Sequence, residues 1–185
     1  QLSFLVINAE NKQSPSLEFF LECLKIKILR EGDFELIPSQ EETCSNLIDK
    51  LKSIVPYFKA WIENQSNDQN TRDSLENLEY NIDQLNGFQA DELKIKYADV
   101  DFIKNVNVHF NNFNLFITNP WNSNSVLLKL PEILCRYFYL LGHDKKLDFL
   151  LRSSESEIQQ HFAQENISIP ENIKNVTIAS SIENN

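Results

Sequence analysis

Glycine, methionine and basic residues are scarce in this sequence of 185 residues, which holds only three Gly and no Met. The glycines Gly32, Gly87 and Gly142 stand far apart, whereas a loop that cradles a phosphate needs them close together. The spacing therefore excludes a Walker or dinucleotide-binding loop from this stretch of chain. Because the sequence begins at Gln1 and contains no Met, we expect it to be a processed product or a fragment of a longer protein.

Cysteine is scarce as well, and its three positions, Cys23, Cys44 and Cys135, are widely separated. An odd number at such spacing matches neither a disulfide framework nor a zinc-ligand pattern. Cys23 and Cys135 fall within apolar periodic segments, which indicates buried free thiols. We therefore expect a reducing, cytoplasmic environment.

Basic residues are outnumbered, since 17 Lys and Arg stand against 27 Asp and Glu, for a net charge of −10. Nucleic-acid backbones and anionic membranes bind clusters of Lys and Arg, so neither is expected as a partner. The sequence also lacks an apolar run of about 18 residues, so no transmembrane helix is expected. The acidic balance is compatible with basic protein partners and with solubility alone.

Residue patterns for catalysis or metal binding are missing. His109, His143 and His161 form no HxxxH or HExxH set. A nucleophilic pair would need Cys135 or Cys44 beside a histidine in space, which leaves a small Cys/His-dependent enzyme as one alternative. We predict no catalytic residue, no metal, no cofactor and no small-molecule substrate.

The apolar pattern predicts a mixed fold. A hydrophobic share of 42% with 13 Phe indicates a substantial core. Alternating apolar residues predict strands at 93–102, 106–110 and 113–118, and their short connections favour an antiparallel meander. Helical periodicity occurs in six further segments, at residues 16–26, 39–62, 73–85, 130–141, 144–151 and 154–165. The predicted fold class is α+β, with a small antiparallel sheet, a meander of three or more strands, packed against several helices.

Local signals refine these elements. Ser39 with Glu42, and Ser154 with Glu157, have the spacing of capping boxes that begin a helix. Pro56 falls inside a helical pattern, where its ring should kink or split the helix. We expect a single domain at residues 1–170, with a helical half at about 1–90 and a sheet-plus-helices half at about 91–170. Residues 171–185 lack periodicity and are predicted to be a disordered tail.

Two tryptophans are the best candidates for contact with a partner. Trp121 stands in a turn between Asn119 and Asn122, and Trp61 lies near the end of a predicted helix. An aromatic side chain on a turn either folds back over a sheet or anchors a protein partner. Trp121, Asn119, Asn122 and Trp61 are therefore the predicted partner-binding residues, together with the exposed edge of the meander.

The order of five segments along the chain resembles a known family. They are SLEFFLECLKIKILREGDFELIP at 16–38, LIDKLKSIVPYFKAWI at 47–62, ELKIKY at 92–97, LFITNPWNSNSVLLKLPEILCRYF at 115–138 and SESEIQQHFAQENISIP at 154–170. Together they resemble the segment that follows the ATPase region in sacsin and NO VEIN-type proteins. The resemblance implies an accessory module with a chaperone-like or scaffold role. It carries over no catalytic residue, because the family's ATP-site motifs belong to the preceding region and are absent here.

The first functional hypothesis is therefore a non-enzymatic protein-interaction or regulatory module. The alternative from a different class, besides the Cys/His enzyme, is a secreted microbial effector or adaptor domain that binds a host protein.

Overall fold

The computed structural model describes residues 34–65, 68–97 and 102–170. The strands are β1 Phe34–Pro38, β2 Glu41–Thr43, β3 Asn86–Ala90, β4 Leu93–Tyr97, β5 Phe102–Val106, β6 Val108–Asn111 and β7 Asn114–Thr118. The helices are α1 Ser45–Gln65, α2 Gln69–Asn81, α3 Asn124–Leu127, α4 Leu130–Tyr137, α5 Asp144–Arg152 and α6 Glu155–Gln164, with a short 3-10 helix at Ile82–Gln84. The predicted α+β fold class is confirmed.

Two sheets are present in the described residues. One is three-stranded and antiparallel, in the order β1-β4-β5, and the other is four-stranded, in the order β2-β3-β7-β6. In the second sheet β3 pairs with β7 in parallel, while β2–β3 and β6–β7 are antiparallel. An antiparallel three-stranded sheet is thus found as predicted, but the three predicted runs contribute to both sheets.

The chain changes sheets at Asn107. This single residue separates β5 from β6, which is too short a connection for two strands to fold back on each other. The two-residue turn Asn112-Phe113, in contrast, closes β6 and β7 into a hairpin. The connection lengths therefore place β5 and β6 in different sheets.

Two strands replace predicted helix ends. Ser39 does not cap a helix, because its hydroxyl accepts a hydrogen bond from the backbone N–H of Glu92 at 2.8 Å and the chain continues into β2. The capping box at Ser39 and Glu42 is therefore wrong, and α1 begins only at Ser45. The helix predicted at 73–85 ends at Asn81, and after the short 3-10 helix the chain enters β3 at Asn86.

Other predictions about the helices can be compared with the structure directly. The capping box at the start of α6 is confirmed, since the Ser154 side chain accepts from the backbone N–H of Glu157 and the Glu157 carboxylate accepts from the backbone N–H of Ser154. Helix α1 runs as one element through Pro56, so the proline does not split it. None of the described helices has the length and apolar character needed to cross a bilayer.

Helix α1 lies at the centre of the main core. It contacts α5, α2 and β3, and its apolar face is fully buried at Leu47, Ile54, Phe58 and Ile62. Helices α2 to α6, the 3-10 helix and strands β6 and β7 supply most of the other residues of this core. Burying one such side chain stabilises the fold by roughly 1.5–3 kcal/mol.

Some predictions lie outside the described residues. These are the helix at 16–26 with Cys23, residues 98–101 of the strand predicted at 93–102, and the tail at 171–185. The division of the chain into one domain and a tail therefore stays a prediction.

Candidate functional site

An open cleft of about 580 Å³ lies between the end of α2, the edge strand β6, the turn after β6 and the end of α4. Its lining is mainly apolar and aromatic. The lining residues are Asn77, Asn81, Val108, His109, Phe110, Phe113, Ile133, Arg136, Tyr137, Phe138, Tyr139 and Leu141. We call this feature the aromatic cleft. Its volume falls within the roughly 300–1,000 Å³ of ligand-binding clefts.

The floor of the aromatic cleft is a packed group of rings. The Phe110 and Tyr137 rings meet edge to face, with centroids 4.3 Å apart. Phe138, 1% exposed, lies beneath them, with its ring centroid 5.0 Å from that of Tyr137. The rim is the opposite, because Tyr139 is 79% and Leu141 53% exposed. The cleft thus combines a floor of packed aromatic rings with two large, solvent-exposed side chains on its rim.

Tyr139 owes its position to the way α4 ends. The N–H of Leu140 donates to the carbonyl of Cys135 at 2.7 Å, and the N–H of Tyr139 donates to the carbonyl of Arg136 at 3.2 Å. This pair of bonds is the Schellman motif, in which the residue after the C-cap adopts a left-handed conformation. Tyr139 has φ +57°, where glycine is the usual residue because a Cβ is strained there.

Phe113 occupies a comparable position in the hairpin turn. Asn112 and Phe113 have φ of +48° and +61°, as in a type I′ turn. Asn is favourable at the first of these positions, but the second is normally Gly. The Phe113 ring, half-buried, lies 6.0 Å from the Tyr137 ring between centroids. Two aromatic residues at left-handed backbone positions therefore border the same cleft.

Strand β6 borders the aromatic cleft and lies at the edge of its sheet. The N–H of Thr118 donates to the carbonyl of Asn107 at 2.9 Å, so that residue pair is a hydrogen-bonded one. Hydrogen-bonded and non-hydrogen-bonded residue pairs alternate along an antiparallel ladder. The Val108–Ile117 and Phe110–Leu115 pairs are therefore of the kind that exchanges no backbone hydrogen bonds. The main-chain groups of Val108 and Phe110 point to the free side, and among the described residues they have no backbone hydrogen-bond partner.

Arg136 is the one Lys or Arg among the described residues that line the cleft, and these residues include no Asp or Glu. Its guanidinium lies 2.7 Å from the carboxylate of Glu132, which is outside the lining. Lys129, also outside the lining, lies 3.7 Å from the same carboxylate, so two cations share one anion next to the cleft.

The predicted partner-binding residues lie elsewhere. Trp121 is half-buried and packs against the core, while Asn119 and Asn122 beside it are exposed. Trp61 is only 9% exposed, and its ring packs between Phe149 and Phe162. The core position of Trp61 gives no support to its predicted contact with a partner, whereas the turn at Trp121 remains a predicted contact.

The described thiols are Cys44, half-buried, and Cys135, buried. Burial, with a smaller contribution from the charge of Asp144, raises the pKa of the Cys135 thiol to about 12. A nucleophilic cysteine needs a depressed pKa and access to solvent. Cys135 therefore has the properties of a structural thiol.

The histidines likewise form no cluster. Burial, and then the nearby Lys146 ammonium, lowers the pKa of His143. The His161 ring contacts those of Trp61 and Phe149 in tilted arrangements, with centroids 4.7 and 4.8 Å away. Within the described ranges, no three His, Cys, Asp or Glu side chains are grouped as metal ligands would be.

Sequence reasoning missed the aromatic cleft for an identifiable reason. The helix at 130–141 was expected to continue to Gly142, which would place Tyr139 inside it, whereas α4 ends at Tyr137. The antiparallel pairing of the runs at 106–110 and 113–118 was predicted and is found in β6 and β7. Phe113, however, was expected to begin the second strand, whereas it is the second residue of the turn.

Comparison of the chain with family models, with curated proteins and with solved structures finds no match. The aromatic cleft is therefore the feature from which a function can be inferred.

Proposed function

We propose that this chain is a non-enzymatic protein-interaction module that binds its partner in the aromatic cleft. One observation carries the proposal, namely that Phe113 and Tyr139 border the cleft at left-handed backbone positions. Each position costs about 1 kcal/mol relative to glycine. Strained residues that cluster at one surface site support a functional role for that site.

The chemistry of the cleft fits a protein partner. Tyrosine, phenylalanine and arginine are enriched at protein interfaces, and tyrosine and arginine are enriched among the residues that dominate the binding energy. Tyr139 is largely exposed in the free chain and has lost little of its contact area to the core. A partner side chain that enters the cleft would exchange water for contact with Phe113, Tyr137 and Tyr139.

The resemblance to sacsin and NO VEIN-type proteins adds a chaperone-like, accessory role to this proposal. It is supported by the order of the five segments alone. Sequencing the gene upstream of this chain tests it, since an ATPase region there is the expected result. An upstream sequence without such a region would remove the accessory role and leave the interaction role to be tested separately.

Affinity capture tests the interaction role. The immobilised protein is compared with Tyr139→Gly, which deletes the ring and keeps a favourable residue at the left-handed position. Leu128→Ala is the matched control, because Leu128 is 71% exposed and lies outside the cleft. Partners retained by the wild type and by Leu128→Ala but lost with Tyr139→Gly are the expected outcome.

The same comparison includes Trp121→Ala for the turn predicted from sequence. If Trp121→Ala loses the partners while Tyr139→Gly keeps them, the site is the turn and the aromatic cleft is wrong. If all variants retain the same partners, neither surface binds them.

A further inference from the structure

The edge strand β6 differs from the other three edge strands of the described sheets. Strand β1 contains Glu35 and Pro38, β2 contains Glu41 and Glu42, and β5 contains Lys104. Charged residues and proline at an edge hinder the addition of another strand. Strand β6, with the sequence VHFN, contains no Lys, Arg, Asp, Glu or Pro. It is therefore the edge least protected against strand addition.

The free side of β6 presents main-chain groups in a regular pattern. The N–H and C=O of Val108 and Phe110 point away from β7, because these residues are the non-bonded pairs of the hairpin. Donors and acceptors at every second residue match an extended polypeptide, which presents its own groups at the same repeat. Small molecules and helices do not present this repeat.

The aromatic cleft lies along the same edge. Val108 and Phe110 line it, and Phe113 and Tyr139 stand on its rim. In an added strand every second side chain would point toward the cleft. An apolar side chain fits that apolar space, while Arg136, which lines the cleft and whose ion-pair partner Glu132 also contacts Lys129, can pair with a carboxylate of the added segment.

We propose that β6 and the aromatic cleft together bind an extended peptide segment of a partner protein. The segment adds a strand to β6, inserts an apolar side chain between Phe113 and Tyr139, and places an acidic side chain against Arg136. This inference rests on the proposed function and deepens it, since it specifies the conformation and the chemistry of the partner.

A library of short random peptides displayed on phage provides the probe. Peptides that bind the full chain are synthesised, and their affinities are measured by fluorescence anisotropy. We expect the binders to share an apolar residue and an Asp or Glu. Methylation of single peptide nitrogens should weaken binding by about tenfold or more at every second position and have little effect between them, because only alternate N–H groups face β6.

Hydrogen exchange reports on the protein side of the same contact. Exchange of the Val108 and Phe110 amides should slow by about tenfold or more when peptide saturates the chain, because both gain an acceptor. The amide of His109 faces β7 in the hairpin ladder and is the internal control. Equal slowing of all three amides would indicate general stabilisation and would contradict strand addition.

Three variants complete the test. Val108→Pro deletes an outward N–H without removing a bond to β7 and should weaken binding by about tenfold or more. Arg136→Glu should weaken binding of the acidic peptide and improve binding of its Lys-substituted form. Leu128→Ala should bind as the wild type does. If Val108→Pro does not fold, the methylated peptides address the same bond from the other side.

The outcomes separate this inference from the proposed function. Peptides that need Tyr139 but show no alternation on methylation keep the cleft as a binding site and overturn strand addition. A library that yields no peptide dependent on Tyr139 overturns both. A second copy is the other occupant of the edge, and a dimer in sedimentation that Val108→Pro dissociates would replace the peptide with self-association.

Discussion

Single residues show where this chain gives up stability. Tyr139 and Phe113 hold backbone conformations that glycine would hold with less strain, and both stand at the aromatic cleft. Gly87 is a contrasting case, because here the chain does have glycine and the packing leaves no room for a side chain. A Cβ at this position would lie 2.6 Å from the carbonyl oxygen of Cys44 and 3.1 Å from Cγ1 of Ile48. Both kinds of position favour glycine, and of these three the chain has glycine only at position 87, where core packing requires it.

Replacement of Tyr139 by glycine should raise the free energy of unfolding by about 0.5–1 kcal/mol, since it removes the left-handed strain and loses little buried area. Urea denaturation measures this change. Tyr139→Ala is the control, because it deletes the ring and keeps the Cβ, and we expect no comparable gain. A loss of stability in Tyr139→Gly would show that the ring supports the fold and would weaken its proposed role in binding.

Replacement of Gly87 by alanine should lower the free energy of unfolding by about 1–3 kcal/mol, because β3 and the start of α1 must move apart. The Cys44 N–H also donates to the Gly87 carbonyl at 2.8 Å, and this bond would lengthen. Gly142→Ala is the comparison, since Gly142 has φ +84° but no neighbour that a Cβ would meet. A Gly87→Ala protein as stable as the wild type would contradict the close approach.

The thiol of Cys135 should be nearly inert in the folded protein. Its pKa, raised from 9.0 to about 12 by burial and by Asp144, leaves about a thousandfold less thiolate than an ordinary cysteine at the same pH. In a variant with Cys23 and Cys44 replaced by serine, a thiol probe should react only after denaturant is added. Rapid labelling of the native variant would instead support the Cys/His enzyme.

At the scale of elements, helix ends and strand connections decide the architecture. Helix α6 begins with a complete capping box, whereas α4 ends in a Schellman motif without glycine. Helix α2 is capped by Asp68, whose carboxylate accepts from the Thr71 backbone N–H at 2.9 Å. These caps satisfy backbone groups that a helix end leaves unpaired. They let the helices stop at positions that the apolar pattern alone does not mark.

Replacement of Ser154 by alanine should cost about 1 kcal/mol of stability, because an N-cap acceptor for the Glu157 N–H is lost. Ser53→Ala, at an exposed position inside α1, should change stability by less than about 0.5 kcal/mol. Thermal denaturation of the two variants compares a capping serine with a helical one. Equal melting temperatures would contradict the contribution of the cap.

Acid should weaken this cap. The backbone N–H and the hydroxyl of Ser154 both donate to the Glu157 carboxylate and lower its pKa from the ordinary 4.5. The contribution is therefore fully present above about pH 4.5 and is lost as the pH falls through the lower folded value. Glu157→Gln should remove this part of the acid dependence. The measurement is the unfolding free energy of the wild type minus that of the variant, which should be smaller at acidic than at neutral pH. A difference that stays constant with pH would contradict it.

At the scale of the whole molecule, the two sheets differ in what they contribute to the main core. Strands β6 and β7 supply Val108, Phe110, Leu115 and Ile117 to the main core that α1 organises. None of the described side chains of the sheet β1-β4-β5 belongs to that core, although Leu93 is fully buried. Ile103 on its outer strand β5 is 58% exposed. This sheet therefore has less apolar contact with the rest of the described chain.

Hydrogen exchange should distinguish the two sheets. The amides of β4 are expected to exchange through partial openings with a lower free energy than those of β7, because opening β4 leaves the main core intact. Exchange measured across a range of low denaturant concentrations checks this order. Identical opening energies in β4 and β7 would show that the sheets unfold as one unit.

The sequence by itself determined the elements whose signals are local. Alternation predicted strands at 93–102 and 113–118, where the structure has β4 at Leu93–Tyr97 and β7 at Asn114–Thr118, and the Ser154–Glu157 spacing predicted the start of α6. The fold class followed from these elements. Each of these signals depends on neighbours within a few residues, so no tertiary information is needed to interpret it.

Only the tertiary structure decided which strands pair, and with that where the aromatic cleft lies. The parallel pairing of β3 with β7 joins residues far apart in sequence, and local periodicity does not encode such a partner. The tertiary structure also places Trp61 in the core and Tyr139 at the surface, although both are aromatic residues near a helix end. Exposure depends on what packs against a side chain, and that is set by the chain as a whole.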